Sequence, residues 1–185
     1  CQFWLSEAVA LAVVHTLDRY IDNGVSIKWP NDIYWNDRKI CGILVEHSLS
    51  GGKIDHTIAG IGLNINQEKF LSDAPNPVSL RQIIGCDTPL PDVLHHLSEE
   101  LLRLADSLPD NAESLHAEFL SRLYRRNGLH TYRNVADRTA DHLVAGEEFC
   151  AEIADVAPDG ILTLARPDGS RPRFAFKEVE FVIGK

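Results

Sequence analysis

The sequence predicts an α/β chain of the α+β kind: a mostly antiparallel sheet with packed helices, followed by a small all-β barrel. Three observations carry this. A long apolar helical run leads straight into short strands joined by tight turns. Three more helical stretches follow. The remainder then switches to closely spaced strand candidates, several of them separated by Pro-Asp-Gly turns.

In chain order, Ser6 is placed to cap a helix over residues 7–20, "EAVALAVVHTLDRY". Its apolar residues Val9, Ala10, Leu11, Ala12, Val13 and Leu17 cover most of the circumference, so the helix is expected to be buried. Ahead of it, "CQFW" reads as the end of a strand. Residue 1 is Cys and the chain contains no Met, so further residues are expected upstream. Asp22 to Gly24 end the helix, and Val25 to Trp29 form a strand that stops at Pro30. "IYW" (33–35) and "KICGILVEHS" (39–48) flank a turn at Asn36 and Asp37. Leu49 to Lys53 turn the chain again into a strand over Ile54 to Asn66, with glycines through its second half. A loop rich in Asp, Pro and Asn runs from Ser72 to Pro77, and "VSLRQIIG" offers a short helix.

A clearer helix covers 91–108, with apolar residues Val93, Leu94, Leu97, Leu101, Leu104 and Leu108. A third covers 112–126 and is ended by Asn127 and Gly128. Then come four short strand candidates, "EEFCAEIADV", "GILTLAR", "RPRFAF" and "EVEFVI", the first three separated by "APDG" and "RPDG". The boundary falls near residues 127–134, giving units 1–130 and 131–185.

The net charge of −9 argues against a broad nucleic-acid surface but not against one small phosphate-bearing ligand. Cys1, Cys41, Cys86 and Cys150 sit far apart, with no Cys-x-x-Cys and no zinc-type pairing with histidine. They read as reduced thiols of a cytoplasmic protein. No apolar stretch is long enough to span a bilayer, and no secretory signal is visible.

One stretch carries chemistry that a core strand does not need: "IKWPNDIYWNDRKICGILVE", residues 27–46. "KWPNDI", "DRKICGILVE" and "GIGLNIN", in this order and spacing, resemble the catalytic core of biotin–protein ligases. The resemblance runs from about Leu5 to Asn66 and continues more loosely through "PVSLRQIIG" and the helices, and the β-rich tail is similar to the family's small Src-homology-3-like C-terminal barrel. It implies an ATP-dependent ligase. Such an enzyme forms biotinyl-5'-AMP from biotin and ATP, with Mg²⁺, and transfers biotin to a specific lysine of a biotin carboxyl carrier domain of a carboxylase. No membrane or nucleic-acid partner is implied for this chain; a homodimer is compatible with it.

The resemblance assigns the active-site lysine to Lys39. As an isolated residue Lys39 reads as a strand-end lysine with its stem on apolar surface. In a ligase, a fixed ammonium lowers the repulsion between a carboxylate and the α-phosphate. The resemblance also sets Gly42 and Leu44, with Lys39, against biotin. Strict alternation instead places Lys39, Cys41, Ile43 and Val45 on one face and Gly42, Leu44 and Glu46 on the other. Both hold only if backbone groups make the contacts or a bulge near Cys41 shifts the phase. Asn31 and Asn64 are assigned to the adenine end, with an amide satisfying a turn as the plainer reading. Asp32 reads either as a turn acid or as the group that orients, or takes a proton from, the incoming lysine amine. Lys28 and Trp29 shape the site, Trp29 as core.

"GIGLN" lacks the third glycine and the following helix of a dinucleotide fingerprint. The histidines do not cluster as ligands, although His47 and His56 flank a hairpin turn and could face each other; no metal site is expected. The family's glycine- and arginine-rich loop precedes the helix near Ser6, and nothing in this chain matches it. A half site without it is expected to bind adenylate weakly and to be inactive alone, and the sheet to have an open edge. The alternatives are a lipoate-type acyl ligase or transferase of the same architecture, and a non-catalytic fragment that docks on a carrier domain.

Overall fold

The computed structural model describes residues 2–51, 53–71, 76–135 and 143–184. The chain divides into two compact units, Cys1–Tyr124 and Arg125–Lys185. The first is a four-stranded antiparallel sheet with helices and the second a five-stranded antiparallel sheet.

Helix α1 spans Gln2–Asp18, and its residues from Glu7 to Val14 are buried without a break. A helix apolar on nearly every side has to be enclosed, and α1 packs against the helices that follow it. The expectation of a strand end at "CQFW", and of a cap at Ser6, does not hold: residues 2–6 are already helical. The Phe3 ring, half-buried, stands edge-on to Phe119 at 5.7 Å, and this packing accompanies the extension of the helix past the capping signal. Glu7 is the exception to the apolar pattern. It is fully buried, with Oε1 2.7 Å from Nδ1 of His116 and no partner for Oε2 among the described residues.

The sheet of the first unit runs β1 (Val25–Lys28), β2 (Asp32–Trp35), β3 (Arg38–Ser50) and β4 (Lys53–Leu63), in sequence order. Asn36, at φ 51°, makes the β2–β3 turn in the left-handed region that Asn tolerates. The outer edge of β1 is taken by the chain's return. Ile27 donates to the Arg122 carbonyl, and Tyr124 donates to the Ile27 carbonyl. At the other side, no strand among the described residues pairs beyond β4.

Helix α2 (Leu80–Ile84) has a complete capping box: Ser79 accepts from the Gln82 amide while the Gln82 side chain accepts from the Ser79 amide. Gly85, at φ 81°, closes it. Most of the Ser72–Pro77 loop lies outside the described residues. Helix α3 (Leu90–Asp106) buries Val93, Leu97 and Leu104. Leu94, expected on the apolar face, is 65% exposed. Helix α4 (Ala112–Ser121) ends earlier than Asn127 and Gly128 suggest. Its C-terminal continuation, Arg122–Tyr124, is captured by β1, because the sheet edge needs those backbone partners.

The second unit contains β5 (His130–Asn134), β6 (Glu148–Val156), β7 (Leu162–Ala165), β8 (Arg173–Phe174) and β9 (Val179–Phe181), in the order β8-β7-β6-β5-β9. The four strand candidates are all present. The sequence reading missed β5, where "HTYRN" offers only a weak alternation. Tyr132 anchors it, fully buried against the rings of Phe149 and Phe181.

Burial pushes the Glu7 carboxyl above its ordinary 4.5, and His116 only partly offsets this. The folded state therefore holds that proton more tightly than the unfolded chain, and its stability falls as pH rises from 4.5 through the raised value. Glu7→Gln should remove that fall. Urea unfolding at several pH values should show the wild type losing stability relative to the variant as pH increases; a pH-independent difference would contradict the assignment.

Candidate active site

The geometry of the site is set by one extra residue. Along the β2–β3 ladder Ile33 faces Cys41, but Tyr34 faces Lys39, so Ile40 has no partner on β2. This is a β-bulge, two residues on one strand opposing one on the other. Ile40 and Cys41 are consecutive and both buried, at 0% and 1% exposure. They use the inward direction twice, and Lys39 and Gly42 are therefore directed to the same outward side. A bulge near Cys41 was one of the two ways to reconcile strict alternation with Lys39 and Gly42 on one face, and it falls at Ile40.

The outward side carries a row of cross-strand partners: Lys28, Asp32, Gly42 and Gly62, one from each strand. The Lys39 side chain reaches back along this row. A Cβ added at Gly42 would lie 3.3 Å from both Cε and Nζ of Lys39 and 3.6 Å from Oδ1 of Asp32. The ammonium sits 2.6 Å from Oδ1 of Asp32, with the two side chains 30% and 22% exposed. Both groups are thus held yet reachable from outside. The next row is Leu44 with Gly60, and Leu44 is 60% exposed. Gly42, Gly60 and Gly62 leave a strip of main chain with no side chains of its own, overhung at Gly42 by Lys39 and bordered by an apolar leucine. A narrow ligand can lie against such a strip.

Asn31 and Asn64 are both beside β3, and both are engaged in backbone contacts. Asn31 exchanges main-chain bonding with Ile43: its carbonyl accepts from the Ile43 amide and its Nδ2 donates to the Ile43 carbonyl at 2.6 Å. Asn64 donates its main-chain N–H to the Ile40 carbonyl and its Nδ2 to the Val78 carbonyl. The plainer reading, an amide serving the backbone, therefore describes their donors. The side-chain Oδ1 atoms have no hydrogen bond among the described residues. Trp29 is 2% exposed and belongs to the core. Lys28 lies over the Tyr34 ring at 5.6 Å.

Electrostatics keep the neighbouring groups protonated. Burial pushes the Cys41 thiol up to about 12, with the Asp32 charge adding to it and Lys39 opposing. Burial and then Asp32 push the Tyr34 hydroxyl to about 12 as well. Lys39 and Asp32 are thus the chemistry-bearing charges at the bulge. His47 and His56 do not face each other: His47 pairs with Thr57, and His56 with Ser48, on opposite faces. A shallow depression lined by Tyr20, Asp22, Trp35 and Ile83 contains neither Lys39 nor Asp32.

The sequence reading gave Asn76 and Pro77 to a loop and Val78 to the start of a short helix, and assigned the segment no part in the site. It forms a parallel bridge to Lys39: the Lys39 amide donates to the Asn76 carbonyl and the Val78 amide to the Lys39 carbonyl. The Asn-Pro pair at 76 and 77 was the available signal, since it marks a turn that brings a chain back.

Residues 3–64 match the family described as Biotin/lipoate A/B protein ligase. Among curated proteins, the chain is 34% identical over 98 residues to the bifunctional ligase/repressor BirA of Bacillus subtilis, covering 50% of this chain and 30% of that protein. It is 28% identical over 183 residues to biotin–protein ligase 2 of Arabidopsis thaliana, covering 91% of this chain and 53% of that protein. The chain thus spans about half, or less, of the length of these relatives. Among solved structures, the fold is similar to the biotin protein ligase of Aquifex aeolicus, with a TM-score of 0.74 at 18% identity, covering 98% of this chain and 76% of that one. It is also similar to the Leishmania major biotin protein ligase solved with biotinyl-5-AMP, with a TM-score of 0.53 at 21% identity, covering 92% and 70%. "KWPND", "DRK" and the glycine strip, gathered on one face, lie within residues 3–64, the part of the chain that matches the Biotin/lipoate A/B protein ligase family, and the chain shares its fold with biotin protein ligases.

Proposed function

We propose that the chain is part of a ligase that forms biotinyl-5'-AMP from biotin and ATP and transfers biotin to a lysine of a carboxylase's biotin carboxyl carrier domain. The observation that carries this reading is the Lys39 ammonium, 2.6 Å from Asp32 and directly over Gly42, beside a bare main-chain strip. The Aquifex aeolicus ligase, solved in complex with biotin and ATP, supports the choice of substrates.

In the first step a biotin carboxylate oxygen attacks the α-phosphorus of ATP. The bond to the bridging oxygen of the β-phosphate breaks, and pyrophosphate leaves. Two like charges about 4 Å apart repel by about 4 kcal/mol at an effective dielectric of about 20. One ammonium between them offsets a repulsion of that size. Lys39 is placed to do so by moving from Asp32 to the ligand. In the second step the carrier lysine attacks the acyl carbon, the bond to the AMP oxygen breaks, and an amide forms. Asp32, released when Lys39 engages the ligand, is left to orient the incoming amine or take its proton. Asn31 and Asn64, whose Nδ2 donors serve the backbone, are assigned to the adenine end on this reading, and Gly42 and Leu44 to the biotin side.

Among the described residues no three His, Cys, Asp or Glu side chains come together to hold a metal. In this reading Mg²⁺ enters with the triphosphate as part of the nucleotide substrate. No described helix is long and apolar enough to cross a membrane. We place the ligase in the cytoplasm with its thiols reduced, and a homodimer is compatible with this reading. The small second unit is read as the Src-homology-3-like barrel that accompanies the catalytic core in many family members.

The test is biotin-dependent exchange of pyrophosphate into ATP by the full-length protein. Lys39→Ala should reduce exchange by about 100-fold or more, as loss of a group aimed at transition-state charge does; near-normal exchange refutes the role. Lipoate supplied in competition separates the biotin reading from the lipoate one, which the family description also covers. Gly42→Ala should slow exchange by about 10-fold at little cost in stability, because the added methyl displaces a flexible ammonium and no backbone.

A further inference from the structure

We infer that Arg38 is a positioning residue for Lys39, acting through the Asn76–Val78 segment; the inference rests on the ligase reading of Lys39. Three consecutive carbonyls of that segment are each bound to the bulged region. The Asn76 carbonyl accepts from the Lys39 amide at 3.1 Å. The Pro77 carbonyl accepts from Nη2 of Arg38 at 2.9 Å. The Val78 carbonyl accepts from Nδ2 of Asn64 at 3.1 Å. In the reverse direction, the Val78 amide donates to the Lys39 carbonyl at 2.9 Å, and Nδ2 of Asn76 donates to the Asp37 carbonyl.

Lys39 therefore has both its main-chain groups tied to a segment outside the four-stranded sheet. It needs them there. The pairing of β3 with β4 stops at Cys41, and main-chain groups past the end of a ladder need other partners. The Asn76–Val78 segment takes up those of Lys39, and Arg38 fastens its middle carbonyl. A Lys39 backbone that rotates carries its ammonium off the row of Asp32 and Gly42. Arg38 itself is exposed, and its side-chain contact among the described residues is with Pro77, not with Asp32 or the glycine strip. Its removal should leave the core intact and the lysine loosely aimed.

Two measurements on the full-length protein test this, with wild type, Lys39→Ala, Arg38→Ala and Arg38→Lys. The first is acetylation of the unliganded protein by a brief pulse of an N-hydroxysuccinimide ester, mapped by mass spectrometry. Lys39 modification should rise about 3-fold or more in Arg38→Ala, as its local hold weakens. It should return towards wild type in Arg38→Lys, since a lysine also has a donor for the one carbonyl. The second is pyrophosphate exchange. Arg38→Ala should lower kcat by about 10-fold with KM for biotin and ATP within about 2-fold, the pattern of lost alignment and retained binding. Arg38→Lys should recover most of it at an unchanged Tm. Unaltered Lys39 labelling in Arg38→Ala, or an unaltered kcat in a protein whose wild type exchanges, overturns the inference. If the wild type does not exchange at all, the ligase reading falls, and the labelling still decides what Arg38 does.

Discussion

The candidate site depends on a single extra residue. If Ile40 were paired regularly instead of bulged, alternation would turn Ile40 outward and Lys39 into the core beside Cys41, leaving Gly42 on the opposite face from Lys39. With the bulge, two successive side chains go inward and the lysine comes to lie over the glycine and against Asp32. The inward demand is met by strong apolar burial, because Ile40 and Cys41 both enter the core. Packing thereby sets the phase of the strand, and the phase sets the chemistry. The remaining conformational freedom at the break is taken up by Asn64 and by Asn76–Val78, which satisfy the carbonyls of Ile40 and Lys39.

The helices serve the same end indirectly. Helix α1 supplies an almost continuous apolar surface beneath β1, β2 and β3, and a rigid floor is what allows the outer face to be so sparse. Gly42, Gly60 and Gly62 contribute no side-chain burial of their own. A strip of that kind weakens a strand, and its cost has to be met on the other face. The electrostatics are local in the same way. The chain is acidic overall, yet Lys28 and Lys39 flank Asp32 on adjacent strands. Net charge does not describe the field that a small anion would meet there.

Much of this was legible in the sequence, for identifiable reasons. The order of the sheet followed from short strands separated by turn residues, and the short helix expected at "VSLRQIIG" is α2. The Lys39 and Gly42 neighbourhood could be read as a pair of incompatible demands with a bulge as one way out. Its placement at Ile40 could not, because a buried Ile and a buried Cys in succession look the same as any apolar run. Helix ends were misread where a distant partner prevailed over local chemistry. Phe3 packs on Phe119 from within α1, and the β1 edge draws Arg122–Tyr124 out of α4. The strand at His130–Asn134 was missed because its polar residues hide the one aromatic, Tyr132, that anchors it. The roles of Asn76 and Arg38 are contacts across 37 or more positions of sequence, and no local pattern announces them.

The contact between Lys39 and Asp32 has a consequence for selectivity. Asp32 is a tethered counter-ion, present at the ammonium at an effective concentration no free solute matches. Any anion that settles on Lys39 has to outcompete it. Chloride or a lone inorganic phosphate, held by charge alone, meets a resident rival of comparable strength. A molecule that also spreads over the glycine strip and Leu44 brings a second source of affinity and can win the exchange. On the proposed ligase reading the built-in carboxylate is a threshold that favours ligands combining a negative group with an apolar body over those that offer charge alone.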